Sequence, residues 1–365
     1  MNSTHRVNIV RIDAILPHTN ADTLGIVYIG SYQCVIKKDA YKVGDLALYI
    51  QPDTLAPVIP AFAFLWADRE FADGTVPEKY RRITVRRFRK EWSEGLLMPL
   101  SDFGTQLNPV AFTIKEKIVQ EGDDVAELLG FTHYVEPEHG ATLGTPGRKF
   151  TLWQRILKFF GFAPKPYGPK GSAVYDVESL KNYPRVFAEG EEVIVTEKIH
   201  GSNARYLFDG KKFWVGSHKK WWKDSGNIWA RIAAKYPWIE QFCRDNPGDT
   251  LYGEVTPTQA GYQYGNTPEE QFFAFDVKRA DGSYMPKRTL YKRASIQQLV
   301  PVVYEGPYDA AKVKAMAEGR TLVGMKNAHI REGIVVSSME ERTVRGVGRA
   351  HLKLKSMAFL EKETK

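Results

Sequence analysis

With 365 residues the chain is long enough to close two hydrophobic cores, and its 43% hydrophobic and 26% charged content excludes a disordered or fibrous protein. Two cysteines, Cys34 and Cys243, exclude a disulfide framework and a four-cysteine zinc site. No apolar run approaches membrane-spanning length and the N-terminus lacks a signal-peptide block, so a cytoplasmic protein without membrane contact is expected. The formal charge of +8 suits a polyanionic partner.

Up to about residue 135 the pattern predicts short strands at Arg6–Ile15, Leu24–Ile29, Tyr32–Ile36, Leu46–Ile50 and Arg82–Phe88, punctuated by Gly, Pro and Asn/Asp. Short strands without long helices between them imply a small barrel or sandwich. The stretches His18–Leu24 and Gly122–Gly130 resemble segments of nucleic-acid-binding OB folds. Basic and apolar residues interleave from Lys79 to Lys90. At strand spacing Arg82, Arg86, Phe88 and Lys90 share one face, suited to a phosphate backbone and a stacked base, or to a solvated strand with an apolar back.

Residues 136–172 turn to Gly, Pro, Lys and Thr, and read as a linker with one short amphipathic helix at Leu152–Phe162. From 173 to 365 strands are expected at Glu192–Lys198, Lys212–Ser217, Thr250–Val255, Gln271–Val277, Gly333–Ser337 and Leu352–Lys355. Helices are expected at Trp229–Ala234, Ile296–Leu299 and Tyr308–Ala317.

The chemistry-bearing signal starts at Thr196-Glu-Lys-Ile-His-Gly-Ser-Asn203, where a β-branched strand ends in Lys198 and a glycine turn follows. Taken alone, that is a lysine at a strand end beside backbone N–H groups able to meet a phosphate. Carboxylates then recur at Glu254 in Tyr252-Gly-Glu-Val255 and Glu332 in Arg331-Glu-Gly-Ile-Val-Val336. Phe272-Phe-Ala-Phe-Asp-Val277 is an aromatic strand ending in an acid. In Leu352-Lys-Leu-Lys-Ser356 the period of two puts Lys353 and Lys355 on one face.

In this order the segments resemble motifs I, III, IIIa, IV and V of the covalent nucleotidyltransferases: DNA ligases, RNA ligases and mRNA capping enzymes. The resemblance implies an α+β chain, an OB-like β-barrel followed by an adenylyltransferase domain of ATP-grasp-like antiparallel sheets with helices. It implies attack of Lys198 on the α-phosphorus of ATP, leaving AMP on nitrogen. Lysine is ordinarily protonated near neutrality, so such chemistry needs neighbouring cations, here Lys353 and Lys355, which also offset charge on the phosphate. Glu254 and Glu332 are the implied ligands of Mg²⁺ or Mn²⁺, Glu254 also a ribose contact. Phe275 matches the adenine-stacking position and Glu197 the purine-edge position, with Ile199, Gly201 and Asn203 completing the nucleotide site.

Lys-Ile-His-Gly in place of the commoner Lys-x-Asp-Gly resembles the branch of RNA-editing ligases and a phage nick-sealing RNA ligase. The chain stops ten residues after Lys355 and carries its OB-like module first, which resembles RNA ligases that seal nicks with RNA on the 3′-OH side. The implied partner is RNA or an RNA/DNA duplex with a nick. The motif Ia arginine is replaced within Ser217-His-Lys-Lys220, which makes His218 or Lys219 the corresponding contact. A capping guanylyltransferase, a DNA ligase, and an RNA-binding protein with an inactive catalytic domain are the rival readings.

Overall fold

A computed structural model describes residues 6–71, 75–108, 110–134, 167–169, 174–223, 225–257, 264, 269–324 and 329–362. Packing divides the chain into two compact units: Met1–Glu136 with Leu180–Pro184 and Met357–Lys365, and Pro137–Ser179 with Arg185–Ser356. The boundary expected at 173 therefore does not hold at two places. Residues 180–184 and the C-terminal helix Met357–Lys362 pack with the first unit, not the second. Leu152–Phe162 lies outside the described residues.

The first unit is built from β1 (Val7–Arg11), β2 (Ile15–Pro17), β3 (Leu24–Ile29), β4 (Tyr32–Lys37), β5 (Leu46–Ile50), β6 (Thr54–Leu55), β7 (Val85–Phe88), β8 (Glu91–Glu94), β9 (Leu96–Pro99), β10 (Thr105–Asn108), β11 (Ala111–Ile114), β12 (Lys117–Gln120) and β13 (Thr132–His133). They form small sheets in the orders β1-β5-β9, β2-β3-β4, β10-β11-β12, β7-β8 and β13-β6. Strand β5 is central because every residue of Leu-Ala-Leu-Tyr-Ile is apolar and buried. Its alternation divides two cores: Leu46, Leu48 and Ile50 pack with Val7, Ile9 and Phe62, while Ala47 and Tyr49 pack with Val27, Cys34 and Leu97. Both cysteines are free and buried.

The second unit holds two sheets. Its strands are β14 (Glu178–Ser179), β15 (Glu192–Lys198), β16 (Ser202–Phe208), β17 (Phe213–Ser217), β18 (Thr250–Thr256), β19 (Gln271–Lys278), β20 (Val302–Pro307), β21 (Gly333–Ser338), β22 (Thr343–Val344), β23 (Gly348–Arg349) and β24 (His351–Lys355). The first sheet runs β14-β24-β21-β15-β20, antiparallel apart from the β14–β24 pair, and the second runs β17-β16-β18-β19. One face of the second sheet (Ala204, Tyr206, Leu251, Val255, Phe272) is covered by the helices Ile228–Lys235 and Trp238–Asp245 through Trp229, Ile232, Ile239 and Phe242. Alternation sends Asn203 and Glu254 to the opposite face.

The expected helix at Ile296–Leu299 is extended chain. Leu299 bridges Ala274 in parallel, and the Ala274 and Val300 N–H groups donate to Gln298 and Ala274 carbonyls. The expected helix at Tyr308–Ala317 narrows to Ala310–Met316, capped by the Asp309 carboxylate accepting from Lys312 N–H at 2.9 Å. Among the described residues no helix is long and apolar enough to cross a membrane.

Candidate active site

Lys198 ends β15, and the register across the first sheet decides its neighbours. Lys198, Gly333 and Lys355 stand in one row, and Thr196, Val335 and Lys353 in the adjacent row on the same face. With strands about 4.8 Å apart, three amines meet over roughly two strand spacings. A β-carbon on Gly333 would meet the Leu354 carbonyl oxygen at 2.2 Å, so only glycine lets β21 begin against β24 here. Gly201 is constrained in the same way, since its β-carbon would lie 2.2 Å from the Val255 carbonyl oxygen.

Lys198 Nζ donates to Glu332 Oε1 at 2.6 Å, and His200 Nδ1 lies 3.5 Å from Glu332 Oε2. Burial would raise the Glu332 carboxyl, but Lys198, His200 and Lys355 overcome it and hold it well below the usual range. Glu254 is the opposite case. Burial pushes its carboxyl up to about 8, Glu332 adds to this, and Lys198, His200 and the Gly201 N–H oppose it. Lys353 is pushed down to about 8 by burial, then by Lys355 and Lys198. Two carboxyls and three amines thus form one electrostatic unit, with two members poised near neutrality.

The nucleotide-side residues are arranged by a bulge. Tyr252 pairs with Asp276 and Gly253 with Ala274, so Phe275 is the extra residue of β19. The bulge sets Phe275 against the cluster of Ile199, Tyr264, Phe273, Val300 and Val323. Ile199 is itself nearly fully buried there, and the His200 N–H donates to the Tyr264 hydroxyl at 2.9 Å.

The structure moves one nucleotide candidate away from its expected role. Glu197 points to the far side of β15, is 1% exposed, and accepts from Thr321 Oγ1 at 2.5 Å and Leu322 N–H at 2.7 Å. Burial raises its carboxyl despite these bonds. Strand alternation is the reason: with Lys198 on one face, its neighbour must take the other. A purine edge meets the Glu197 carboxylate only if the Thr321–Leu322 contacts are exchanged.

Glu332 Oε2 and Asn203 Oδ1 are buried and accept no hydrogen bond. Among the described residues no group of three or more His, Cys, Asp or Glu is placed to hold a metal ion by itself. Two carboxylates with an amide oxygen still fit a hard divalent cation such as Mg²⁺ or Mn²⁺, which keeps several waters and takes further oxygens from phosphates.

Of the nucleic-acid candidates, Arg82 does not share the strand face expected for it. It lies before β7, with Nη2 2.6 Å from Asp53 Oδ1 and its guanidinium over the Tyr134 ring at 4.1 Å. Lys90 does not share a strand face with Arg86 and Phe88, because Arg89 and Lys90 form the turn between β7 and β8 at φ of 46° and 81°. Arg86 and Phe88 remain exposed on β7. His218 Nε2 is 2.9 Å from the Tyr175 carbonyl oxygen, and Lys219 is exposed beside it.

Sequence reasoning missed a buried network behind Phe275. Asp276 accepts from the Tyr175 hydroxyl at 2.6 Å and from Arg349 Nη1 at 2.7 Å, with Lys287 Nζ at 3.2 Å. The Tyr175 proton is committed to Asp276, so His351 Nε2–H must donate to Tyr175 at 2.8 Å. His351 Nδ1 then accepts from Ser337 at 2.8 Å. Burial, Lys287 and Arg349 push His351 well below the usual imidazole range, in keeping with that neutral tautomer. Only the acid closing the aromatic strand was visible in the sequence.

Two facing sheets, with a strand-end lysine and flanking carboxylates between them, define the catalytic unit of a nucleotidyltransferase. Residues 191–355 match the RNA ligase family and residues 6–100 an OB-fold domain, so the chain carries an RNA ligase enzyme domain behind an OB-fold domain. Solved structures of a Naegleria gruberi RNA ligase are similar across the whole chain. One with PPi is 22% identical at a TM-score of 0.69 and covers 98% of each chain. A lysine-to-alanine variant with ATP and Mn is also 22% identical, at a TM-score of 0.72, covering 98% of this chain and 99% of its own. No curated protein matches the sequence.

Proposed function

We propose that this protein is an ATP-dependent RNA ligase that joins a 3′-OH to a 5′-phosphate, at nicks in a duplex with RNA on the 3′-OH side. The observation that carries the reading is Lys198 Nζ held 2.6 Å from a buried, ionised Glu332 in a row shared with Lys355 and flanked by Lys353. The neighbouring ligase structures contain ATP and Mn, or AMP and Mn.

The Lys198 amine attacks the ATP α-phosphorus; the N–P bond forms, the bond to pyrophosphate breaks, and the amine's proton passes to solvent. Glu332 is too acidic to act as the base and instead fixes the position of Nζ. Lys353 and Lys355 offset negative charge that builds on the phosphate oxygens. A 5′-phosphate oxygen next attacks the AMP phosphorus; the N–P bond breaks, the Lys198 amine is released, and a 5′–5′ pyrophosphate linkage forms. A 3′-OH then attacks that 5′-phosphorus and AMP leaves, with the template strand supplying proximity. Phe275 would stack on the adenine. Glu254, Glu332 and Asn203 would hold Mg²⁺ or Mn²⁺, which when bound neutralises phosphate charge.

The deciding test is incubation with α-³²P-labelled ATP or GTP and either cation. Label from ATP, followed by sealing of nicked duplexes that depends on a ribose 3′-OH, is the expected result. Label from GTP alone would move the protein to the capping branch. No label from either, in folded protein, would leave only nucleic-acid binding.

A second expectation concerns pH. Glu254 titrates at about 8, so at pH 7 it is mostly protonated in the free protein. Cation binding requires the carboxylate and therefore releases close to one proton per ion at pH 7, fading to none well above pH 8. The affinity for Mn²⁺ should accordingly rise about tenfold per pH unit below 8 and level off above it. Titration calorimetry in buffers of different ionisation enthalpy reads the proton directly, and Glu254→Gln should remove it. A pH-independent affinity would take Glu254 out of the cation site.

A further inference from the structure

The edge of the second sheet carries a feature that the nucleotide chemistry does not use. From Asp209 to Lys223 the chain runs down edge strand β17, turns through Ser217–Lys220, and returns along it. Trp222 N–H donates to Val215 O and Trp221 bridges Gly216. This stretch holds five lysines (211, 212, 219, 220 and 223), three tryptophans and one acid.

That acid does not neutralise the lysines. Asp209 Oδ2 accepts from Trp214 Nε1 at 2.7 Å, and Oδ1 accepts from the Lys211 and Lys212 N–H groups. Among the described residues Lys211, Lys212, Lys220 and Lys223 take part in no ion pair and are exposed. Three of these ammonium groups sit over rings. Lys212 lies 4.5 Å from the Trp214 centroid, Lys223 4.8 Å from that of Tyr167, and Lys220 3.6 Å from that of Trp222.

The rings are themselves braced. Trp222 stacks on Trp229 at 5.1 Å and 16°, Tyr167 packs on Trp214 at 5.1 Å, and Trp221 carries the Arg205 guanidinium at 4.3 Å. Tyr167 and Trp214 are half-buried.

Lysines on an edge strand also deter edge-to-edge pairing of sheets, which is the bland account of the charge. It does not account for braced, half-buried aromatic rings between the charges, nor for where the strip leads. Next to Lys219, His218 bonds the Tyr175 carbonyl, and the Tyr175 ring lies 5.0 Å from Phe275. The strip is thus joined, through buried Tyr175, to the ring of Phe275. Cations that track phosphates, with rings that accept bases at intervals, are the chemistry of strand binding irrespective of sequence.

We propose that residues 209–223, with Tyr167, form a docking surface on the catalytic unit for the nucleic-acid strand whose end reacts at Lys198. Its lysines lie on phosphates, and Trp214 with Tyr167 receives a base or ribose. The inference rests on the ligase reading above.

The test uses the full-length protein and a nicked RNA duplex. Affinity is measured by fluorescence anisotropy over a range of salt, with lysyl-AMP formation from ATP scored in parallel. The variants are Lys211, Lys212, Lys220 and Lys223 all to Gln, the same four to Arg, and Trp214→Leu. The Gln variant should bind ~10-fold or more weakly, with a slope of log affinity against log salt shallower by about 0.9 for each phosphate no longer neutralised. The Arg variant should restore both, Trp214→Leu should weaken binding roughly fivefold or more, and lysyl-AMP formation should stay at the wild-type level throughout.

Unchanged affinity and salt slope in the Gln variant would overturn the proposal. So would a loss of binding matched by an equal loss of lysyl-AMP, which would make these residues part of the fold. Wild-type protein that forms no lysyl-AMP would instead sink the ligase reading, while RNA affinity would still score the surface.

Discussion

Lys198→Ala should transfer no AMP from ATP above background, a loss of at least about 10⁴-fold, because the strand-end amine that forms the N–P bond is then absent. Loss of activity alone would not separate a nucleophile from a structural cation, since Lys198 also neutralises a Glu332 that is 5% exposed by side chain. Lys198→Arg makes the separation. Arginine keeps the positive charge and can reach the same carboxylate, yet cannot be deprotonated and so cannot attack phosphorus. The Arg variant should melt close to wild type and remain unlabelled. The Ala variant should lose stability by about 1–3 kcal/mol, because it leaves a buried carboxylate short of its partner. Labelling on a denaturing gel and thermal melts of the same preparations read both effects. An Arg variant that still accepts label would remove Lys198 from the nucleophile's role.

How much of this was legible in advance follows the range over which each feature is encoded. Lys198, Lys353, Lys355 and Glu254 could be placed because each sits on a strand whose period-two pattern carries its own orientation, and Glu332 because it immediately precedes one. The facing of Glu197 was also legible, since alternation alone puts it on the opposite face from Lys198. The error at Arg82 and Lys90 came from extending one strand over nine residues. The actual strand β7 has four, and the φ > 0 turn at Arg89–Lys90 carries none of the Gly or Asn that ordinarily announces one. Ile296–Leu299 is Ile-Gln-Gln-Leu, four residues with apolar ends, too short for periodicity to divide between strand and helix. The network around Asp276 was beyond reach, because its members are spread from Tyr175 to His351 and meet only through the packing of both sheets.

Substitution of Asp276 should produce the largest loss of stability in the catalytic unit. Asp276 is fully buried and is the shared acceptor of Tyr175, Arg349 and Lys287. Burial by itself would raise its carboxyl, yet Lys287, Arg349 and His351 hold it well below the usual aspartate range. Asp276→Asn keeps the shape but removes the charge, leaving Lys287, 3% exposed, without its carboxylate. Breaking a buried ion cluster by deleting one partner costs about 3–5 kcal/mol, which for a unit of this size is a fall in Tm of roughly 6–20 °C. The sign of the pH dependence follows from the lowered value. The contribution is fully present above the ordinary aspartate range and is lost only as pH falls through the folded value, in strong acid. Titration of Asp276 itself should therefore leave the gap between wild type and Asp276→Asn unchanged at mildly acidic pH. The same lesion reaches the site, since Lys287 Nζ also donates to the Phe275 carbonyl at 2.7 Å and so holds the bulge that presents the ring. At temperatures where the variant is folded, the ATP concentration for half-maximal labelling should rise. Pairing Asp276→Asn with Lys287→Met should recover part of the lost stability, because both members of one buried pair are then gone. A single-variant cost under about 1 kcal/mol would mean that the network adds little beyond the packing around it.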